Sequence, residues 1–265
     1  MAKKVYYDFT GHRIGDKVVV SAAFKWHLSR YPKDHIIAID DPHCHGSRQA
    51  TLPSSVIFHG LIDEVASKPP NGAAPLALGN LWIRTPWLAR QGFYPSIVLD
   101  DAVEEAIIEQ FKWIKQPYVC VHILQDAPYN RCRNHSYADM KEVILRLGRV
   151  GIRVVRIGRN FNNPIIRCTD LTQQRLTVMQ SACVIKNCKV FIGGDTGMSH
   201  IASAVGVPHI IGIYGPCDVN PWRYEAKQMG CDVEFNSLPS VPPGRLTSIT
   251  TVSYTHLTLP TKRIV

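Results

Sequence analysis

A glycine-rich stretch at residues 193–197 is the part of the sequence best suited to bind an anion. It reads Gly-Gly-Asp-Thr-Gly and lies between an apolar run, which predicts a short buried strand, and a run of small residues, which predicts a helix. A strand-to-helix turn exposes backbone N–H groups, and the helix dipole adds partial positive charge there. Asp195 can cap this helix, Thr196 offers a hydroxyl and an N–H, and Gly197 lets an oxyanion approach the backbone closely.

Three more residues point to the same edge of the predicted sheet. His200 follows Gly197 by about one helical turn, so its ring can reach the mouth of the turn. Gly158 and Gly215 follow two other predicted strands in the same half, and the three turns together favour a nucleotide site. The same residues also fit a capped helix with a tight turn and a core histidine, and the residues alone do not separate these interpretations. The sequence has no Walker A pattern, which argues against an ATPase.

Asp16 is the candidate for acid–base chemistry. It ends the turn Gly-His-Arg-Ile-Gly-Asp at residues 11–16, directly before a predicted helix. A helix N-terminus stabilises an ionised carboxylate, which can accept a proton from a hydroxyl group. A plain capping role explains the same residue equally well.

Composition and charge narrow the class of protein. The chain has 265 residues, of which 45% are hydrophobic and 19% charged, and this profile is typical of a globular core. A formal charge of +9 favours anionic partners, but the basic residues are dispersed and no nucleic-acid-binding motif is present, so we expect no nucleic-acid partner. The eight cysteines form no CxxC pair, which favours reduced thiols. The sequence shows no apolar run long enough to span a membrane and no signal-peptide core, so we expect a cytoplasmic protein.

Strands and helices alternate along the chain, a pattern typical of parallel α/β sheets. The predicted strands are residues 4–9, 35–39, 55–59, 118–123, 153–157, 190–192 and 209–214, and the predicted helices are residues 17–31, 102–114, 137–150, 171–182 and 198–205. We therefore expect a first domain at residues 1–115, with the helix at 102–114 as a connector, and a second domain at residues 116–251. A cleft between two such domains, at the carboxyl ends of their strands, is the expected ligand site.

Residues 252–265 break this periodicity. Residues 252–261 resemble the in-frame translation of a sequencing adapter, so we expect a non-native tail on a C-terminally truncated protein. The alternative is a genuine flexible terminus.

Three segments together resemble glycosyltransferase family 9, typified by lipopolysaccharide heptosyltransferases. They are IGDKVVVSAAFKWHLSRYP near the start, YVCVH followed by GIRVVRIG in the middle, and DLTQQRLTVMQSACVIKNCKVFIGGDTGMSHIASAVGVPHIIGIYGP near the end. The resemblance covers most of residues 4–220 and is strongest at residues 170–216. It implies a GT-B fold, in which two Rossmann-like domains face a cleft and the second holds most of a nucleotide-sugar donor. It also implies that the protein needs no cofactor and no metal.

The resemblance also assigns roles to individual residues. Asp16 matches the general base of an inverting transfer, and Asp195 lies where the family holds the hydroxyls of the donor sugar. The family's basic residue followed by Trp-Pro is absent here; the corresponding stretch is Tyr-Asn-Arg-Cys-Arg-Asn-His-Ser, which makes Arg131 or Arg133 the expected cation for the phosphate. The other expected donor-binding residues are Gly15, Gly158, Thr196, Gly197, His200 and Gly215.

These residues predict an inverting glycosyltransferase. The expected donor is a nucleotide-diphosphate sugar such as ADP-heptose, and the expected acceptor is an anionic glycan or lipid-linked precursor of lipopolysaccharide at the cytoplasmic face of the inner membrane. The alternatives are a nucleotide-sugar epimerase on the same fold and a non-catalytic nucleotide-sugar-binding protein. The acid pairs at residues 40–41 and 100–101 resemble metal-binding motifs but fit turn and cap positions, so we predict no metal site.

Overall fold

The computed structural model describes residues 2–10, 14–40, 58, 60–77, 84–123, 135–158, 165–214, 240–242 and 244–250. The residues within these ranges form a four-stranded sheet in the first half of the chain and a six-stranded sheet in the second. None of the helices in these ranges has the length and apolar character needed to cross a membrane. The residues of the expected non-native tail lie outside the described ranges.

The first sheet is parallel, and its strands are β1 (Lys4–Asp8), β2 (His35–Ile39), β3 (Glu64–Ala66) and β4 (Leu76–Ala77). Their order across the sheet is β3-β2-β1-β4, and β1 pairs with β2 along its whole length. Residues Ile36, Ile37 and Ala38 are all buried, as expected of a parallel strand that is covered on both faces. The sequence predicted β1 and β2 to within one residue.

Helix α1 (Ile14–Arg30) connects β1 to β2. It begins three residues before the predicted start at residue 17, so Asp16 lies in its first turn. Near the other end, Trp26 packs edge-on against Trp87 of helix α2 (Thr85–Arg90), with ring centroids 5.7 Å apart. Helix α1 is held near its C-terminus by this ring contact and at its first turn by an ion pair between Lys17 and Asp40.

The strand predicted at residues 55–59 is not a strand at its one described residue. Phe58 lies in a turn, because the N–H of Leu61 donates to its carbonyl oxygen. The Phe58 ring is fully buried between Phe9 and Phe24, at 4.9 Å from each ring centroid. The apolar character that suggested a strand thus comes from a turn that packs into the core, and β3 is the strand that pairs with β2.

The second sheet is also parallel and contains β5 to β10, in the order β10-β9-β8-β5-β6-β7. This order is that of a Rossmann-type sheet. Successive strands are added on one side of β5 and then, from β8 onward, on its other side, and this change leaves a crevice at the carboxyl ends of β5 and β8. The strands are β5 (Val119–His122), β6 (Val154–Ile157), β7 (Thr169–Asp170), β8 (Val190–Gly193), β9 (His209–Tyr214) and β10 (Leu246–Thr250).

Four helices accompany this sheet. They are α3 (Asp101–Gln110), α4 (Tyr137–Arg149), α5 (Val178–Lys186) and α6 (Gly197–Ala204), and a 3-10 turn at Lys112–Lys115 follows α3. Helix α5 begins seven residues after its predicted start at residue 171, because Thr177 and Gln180 form a reciprocal capping box there. Asp100 caps α3 through the N–H of Ala102, as predicted.

The connector helix α3 packs against the second sheet's helices. Its Glu104 accepts a hydrogen bond from Lys186 Nζ of α5 at 2.6 Å. The predicted domain boundary between residues 115 and 116 stays a prediction.

The two halves of the chain meet where α1 and α6 begin. A Cβ atom built on Gly15 would lie 3.2 Å from the Cα of Gly197 and 3.2 Å from Cδ2 of His200. The buried core is continuous across this contact and includes Phe24 of α1 and Ile201 of α6. Two helix N-termini are therefore held together backbone to backbone.

A buried ion pair holds the first turn of α1 against its own sheet. Lys17 Nζ donates to Asp40 Oδ2 at 2.7 Å, and the two side chains are only 2% and 9% exposed. Asp40 directly follows β2, so the pair joins the start of α1 to the carboxyl end of that strand. In the part of the chain that the structure describes, Asp40 thus has a structural role as the partner of Lys17.

We expect Asp40→Asn to lower the free energy of unfolding by about 3–5 kcal/mol, because it takes the compensating charge from a buried ammonium. Urea denaturation at pH 7 measures this change. The matched control is Glu109→Gln, which breaks a pair with Lys112 whose side chains are both 79% exposed and which we expect to cost less than about 1 kcal/mol. Equal losses in the two variants would contradict a special role for the buried pair.

We expect Gly15→Ala to destabilise the fold by about 1–3 kcal/mol, because the new methyl group would press on the backbone of Gly197. Gly148→Ala is the control: this helical glycine has only ordinary contacts, 3.4 and 3.8 Å from Arg167, so the better helix propensity of alanine leaves it neutral or stabilised by up to about 1 kcal/mol. Thermal denaturation of both variants separates the two effects. A Gly15→Ala protein as stable as Gly148→Ala would show that the helices can move apart freely.

Candidate functional site

The glycine-rich turn after β8 starts helix α6 with Thr196 as its cap. The backbone of Thr196 is extended, with φ −143° and ψ 162°, and its hydroxyl accepts a hydrogen bond from the N–H of Ser199. Ser199 in turn donates from its hydroxyl to the carbonyl oxygen of Gly194. Asp195 was predicted as a possible cap, and this prediction is wrong. The residue with the extended backbone at the helix start is Thr196, and its own hydroxyl caps the helix.

Asp195 instead faces His200. Their nearest atoms, Asp195 Oδ1 and His200 Nε2, are 3.6 Å apart. The other ring nitrogen of His200, Nδ1, is hydrogen-bonded to the hydroxyl of Ser240 at 3.0 Å, and its Cδ2 edge lies against Gly15. The buried His200 ring thus lies between the glycine-rich turn and the start of α1.

Asp16 is carried by the helix turn that contacts Gly197. It follows Gly15 in the first turn of α1 and is partly exposed. The N-termini of α1 and α6 both carry partial positive charge, and their contact through Gly15 adds the two effects at one place. This place suits an anion, and Asp16 directly follows the contacting Gly15 in the chain.

His122 also belongs to the site, although the sequence reasoning did not select it. It ends β5, and its Nδ1 is hydrogen-bonded to Thr196 Oγ1 at 3.4 Å. A Cβ atom on Gly158, which has a φ of +128°, would lie 3.0 Å from Cδ2 of His122. His122 therefore fills the space between the turns that follow β6 and β8, where the order of the strands reverses.

A second histidine covers the glycine-rich turn. His135 Nε2 donates to the carbonyl oxygen of Ile213 at 3.1 Å, and a Cβ atom on Gly194 would lie only 2.7 Å from that same nitrogen. Gly194 is thus required because an imidazole takes the place of its side chain. His122 lies next to the end of the strand predicted at residues 118–123, which is a signal that could have found it, but His135 lies in a loop with no such signal.

Both of these histidines are held neutral at pH 7. Desolvation, together with the nearby His135 and Arg156, lowers the pKa of His122 to about 4. Burial also lowers the pKa of His135. The turn is therefore lined by neutral imidazoles, which can donate or accept hydrogen bonds.

Seven of the predicted site residues lie together at this edge. Arg131, Arg133 and Gly215 lie outside the described residues. Within the described ranges, no group of three or more histidine, cysteine, aspartate or glutamate side chains is arranged to hold a metal ion. The residues that the structure brings together are Gly15, Asp16, Gly158, Asp195, Thr196, Gly197 and His200.

Part of the chain that carries this site is similar to a known protein family. Residues 151–243 match the family model described as glycosyltransferase family 9 (heptosyltransferase). This segment contains the glycine-rich turn, helix α6 and Ser240. No curated protein sequence matches the chain significantly.

Solved structures of this class share the fold. A family 9 glycosyltransferase from Veillonella parvula DSM 2008 superposes with a TM-score of 0.62 at 14% identity, over 95% of this chain and 88% of the other. The ADP-heptose lipopolysaccharide heptosyltransferase II of E. coli gives a TM-score of 0.57 at 13% identity, over 96% of this chain and 91% of the other.

A third similar structure is the dodecameric, iron-containing heptosyltransferase TibC, from enterotoxigenic E. coli H10407, in complex with ADP-D-beta-D-heptose. Its TM-score is 0.50 at 16% identity, over 79% of this chain and 57% of the other. At these identities the likeness shows the fold, and the predicted GT-B architecture with two parallel α/β units is confirmed. The sequence pattern and the fold occur together in this chain, which confirms the resemblance to glycosyltransferase family 9 and supports a glycosyltransferase.

Proposed function

We propose that this protein is an inverting, metal-independent glycosyltransferase that moves heptose from ADP-heptose to an anionic acceptor. The observation that carries the proposal is the contact between Gly15 and Gly197. Asp16 directly follows Gly15, so this contact supports a proposed base and a proposed leaving-group site that share one edge. A pure binding protein would not need Asp16 as a base next to the donor site, and an epimerase would not need a site for an acceptor beside it.

In this proposal Asp16 acts as the general base. It accepts the proton of the acceptor hydroxyl while the acceptor oxygen forms a bond to the anomeric carbon of the sugar. The bond from that carbon to the diphosphate oxygen breaks, and its electron pair stays on the diphosphate, which leaves as ADP. Attack from the face opposite to the leaving group inverts the anomeric centre.

The turn before α6 would hold the diphosphate. The N–H of Gly197 and the hydroxyl of Thr196 are available at a helix N-terminus, where the dipole stabilises the charge that grows on the leaving group. Asp195 and His200, next to each other at 3.6 Å, are proposed to hold sugar hydroxyls. Gly15 and Gly158 are proposed to contact the donor through their backbones. Arg131, Arg133 and Gly215 remain proposed donor contacts on the resemblance alone.

The choice of donor and acceptor has separate support. Among the similar structures, one protein is named for ADP-heptose and another holds it. The formal charge of +9 favours an anionic, lipid-linked acceptor such as a lipopolysaccharide precursor. We therefore propose that the protein works in the cytoplasm at the inner face of the membrane.

The central experiment replaces the proposed base. We expect Asp16→Asn to lower the transfer rate by about 10²–10⁴-fold, because amide nitrogen and oxygen cannot take the acceptor's proton, while the rise in melting temperature caused by ADP stays the same. The matched control is Asp101→Asn, which changes an exposed acid in the first turn of α3 and should leave both values unchanged. A wild-type rate in Asp16→Asn would overturn the role of Asp16, and a stabilising effect of UDP with none from ADP would overturn the choice of donor.

A second experiment separates capping from donor binding. Thr196→Ala and Thr177→Ala both remove a threonine cap from a helix of the same unit, so each should lower the free energy of unfolding by about 1 kcal/mol. Only Thr196→Ala should weaken ADP binding, by about 10–100-fold, the value of one hydrogen bond to a charged group. Isothermal titration calorimetry with ADP tests this. Equal ADP affinities in the two variants would mean that Thr196 serves the helix alone.

A further inference from the structure

His122 is a part-buried titratable group that touches two turns of the proposed donor site at once. Its Nδ1 reaches Thr196 Oγ1, and its Cδ2 and Nε2 edge lies against Gly158. It stands at the carboxyl end of β5, next to the point where the strand order reverses. In sheets of this kind the ligand binds outside that point.

The hydrogen bonds of Thr196 limit what its hydroxyl can do. The oxygen already accepts from the N–H of Ser199, so the hydroxyl has one proton to donate. When the His122 ring is neutral and its Nδ1 bears no proton, that nitrogen accepts the hydroxyl proton. When the ring is protonated, Nδ1 must donate, and the Thr196 proton has to turn to another acceptor.

We propose that His122 takes up one proton from solvent when the donor diphosphate binds, and that the protonated ring turns the Thr196 hydroxyl toward the diphosphate. The inference rests on the proposed function and deepens it: the donor site recognises a diphosphate through a histidine that is charged only in the complex. The proton returns to solvent when the nucleoside diphosphate leaves.

The charges around the ring give the reason for this coupling. His135, from the segment before α4, and Arg156, from β6, face His122 and disfavour its protonated form, as does desolvation. From the turn after β8, Thr196 contributes a neutral hydroxyl. With its pKa lowered to about 4, the ring is neutral at pH 7 in the unliganded protein. A diphosphate brings two negative charges to this place, and an opposite charge within about 4–6 Å raises a histidine pKa by about 1–3 pH units.

Calorimetry with ADP-heptose tests the proposal. This donor is a diphosphate diester without a titrating phosphate between pH 5 and 8, so any proton taken up belongs to the protein. If the rise is about 2–3 pH units, titrations at pH 6 in buffers of different ionisation enthalpy should show uptake of about half to one proton per bound donor. The affinity should be on the order of tenfold higher at pH 5.5 than at pH 7.5.

Two variants assign the proton. His122→Gln keeps a side chain that can hydrogen-bond to Thr196 but cannot titrate, so its donor affinity should not change with pH and its proton uptake should vanish. The matched control is His209→Asn, which changes an exposed histidine at the opposite end of the same sheet and should behave as the wild type. A His122→Gln protein with undiminished proton uptake would overturn the proposal.

A measurement on the wild-type protein covers the case in which His122→Gln does not fold. The Cε1–H resonance of His122 should titrate at clearly higher pH with ADP-heptose than without it. Donor binding with no proton uptake and no shift of this titration would overturn the inference and leave the proposed function standing. Failure of ADP-heptose to bind at all would overturn the proposed donor and this inference together.

Discussion

The approach of two helix N-termini at Gly15 and Gly197 is the constraint on which the candidate site depends. Both termini carry partial positive charge, so their dipoles oppose this contact. Packing overcomes this opposition, because the buried core runs without interruption from α1 to α6 and the Lys17–Asp40 pair fixes the first turn of α1. The fold thus maintains a region of positive electrostatic potential. Asp16, in the first turn of α1, is a negative residue near this region, and a bound diphosphate would bring further negative charge to it.

The same contact explains why the site needs both units. His200 belongs to α6, yet its ring edge lies on Gly15 of α1, while its nitrogens face Asp195 and Ser240. A shift of α1 against α6 would therefore move the proposed base and the sugar-binding pair relative to each other. Effective transfer requires the attacking and leaving groups to be held in line. In this molecule that alignment depends on contacts between backbones, which vary less than contacts between long side chains.

The sequence predicted the parts of the fold that follow from local patterns. Strands β1, β2, β6, β8 and β9 and helix α1 were predicted to within about three residues, because apolar periodicity and helix signals decide them. The turn at Phe58 was misread because a buried phenylalanine looks the same in a strand and in a packed turn. The cap of α6 was assigned to Asp195 because sequence alone does not show which of two adjacent polar residues has the extended backbone. His135 was missed because its role depends on a loop passing over Gly194, a contact between residues far apart in the chain.

Glycine is needed at two positions of the site for a different physical reason from the one that the sequence suggested. Backbone freedom explains Gly158, which has a positive φ, but Gly15 and Gly194 do not have one. At these two positions the space of a side chain is occupied by another residue: Gly197 and His200 against Gly15, and His135 against Gly194. His122 likewise takes the space beside Gly158. Each of the three glycines therefore makes room for an imidazole, so histidine rings lie behind the turn that we propose to hold the diphosphate. A neutral imidazole gains its charge only by taking up a proton, so in our proposal the neutral His122 adds no charge to the turn until the diphosphate binds.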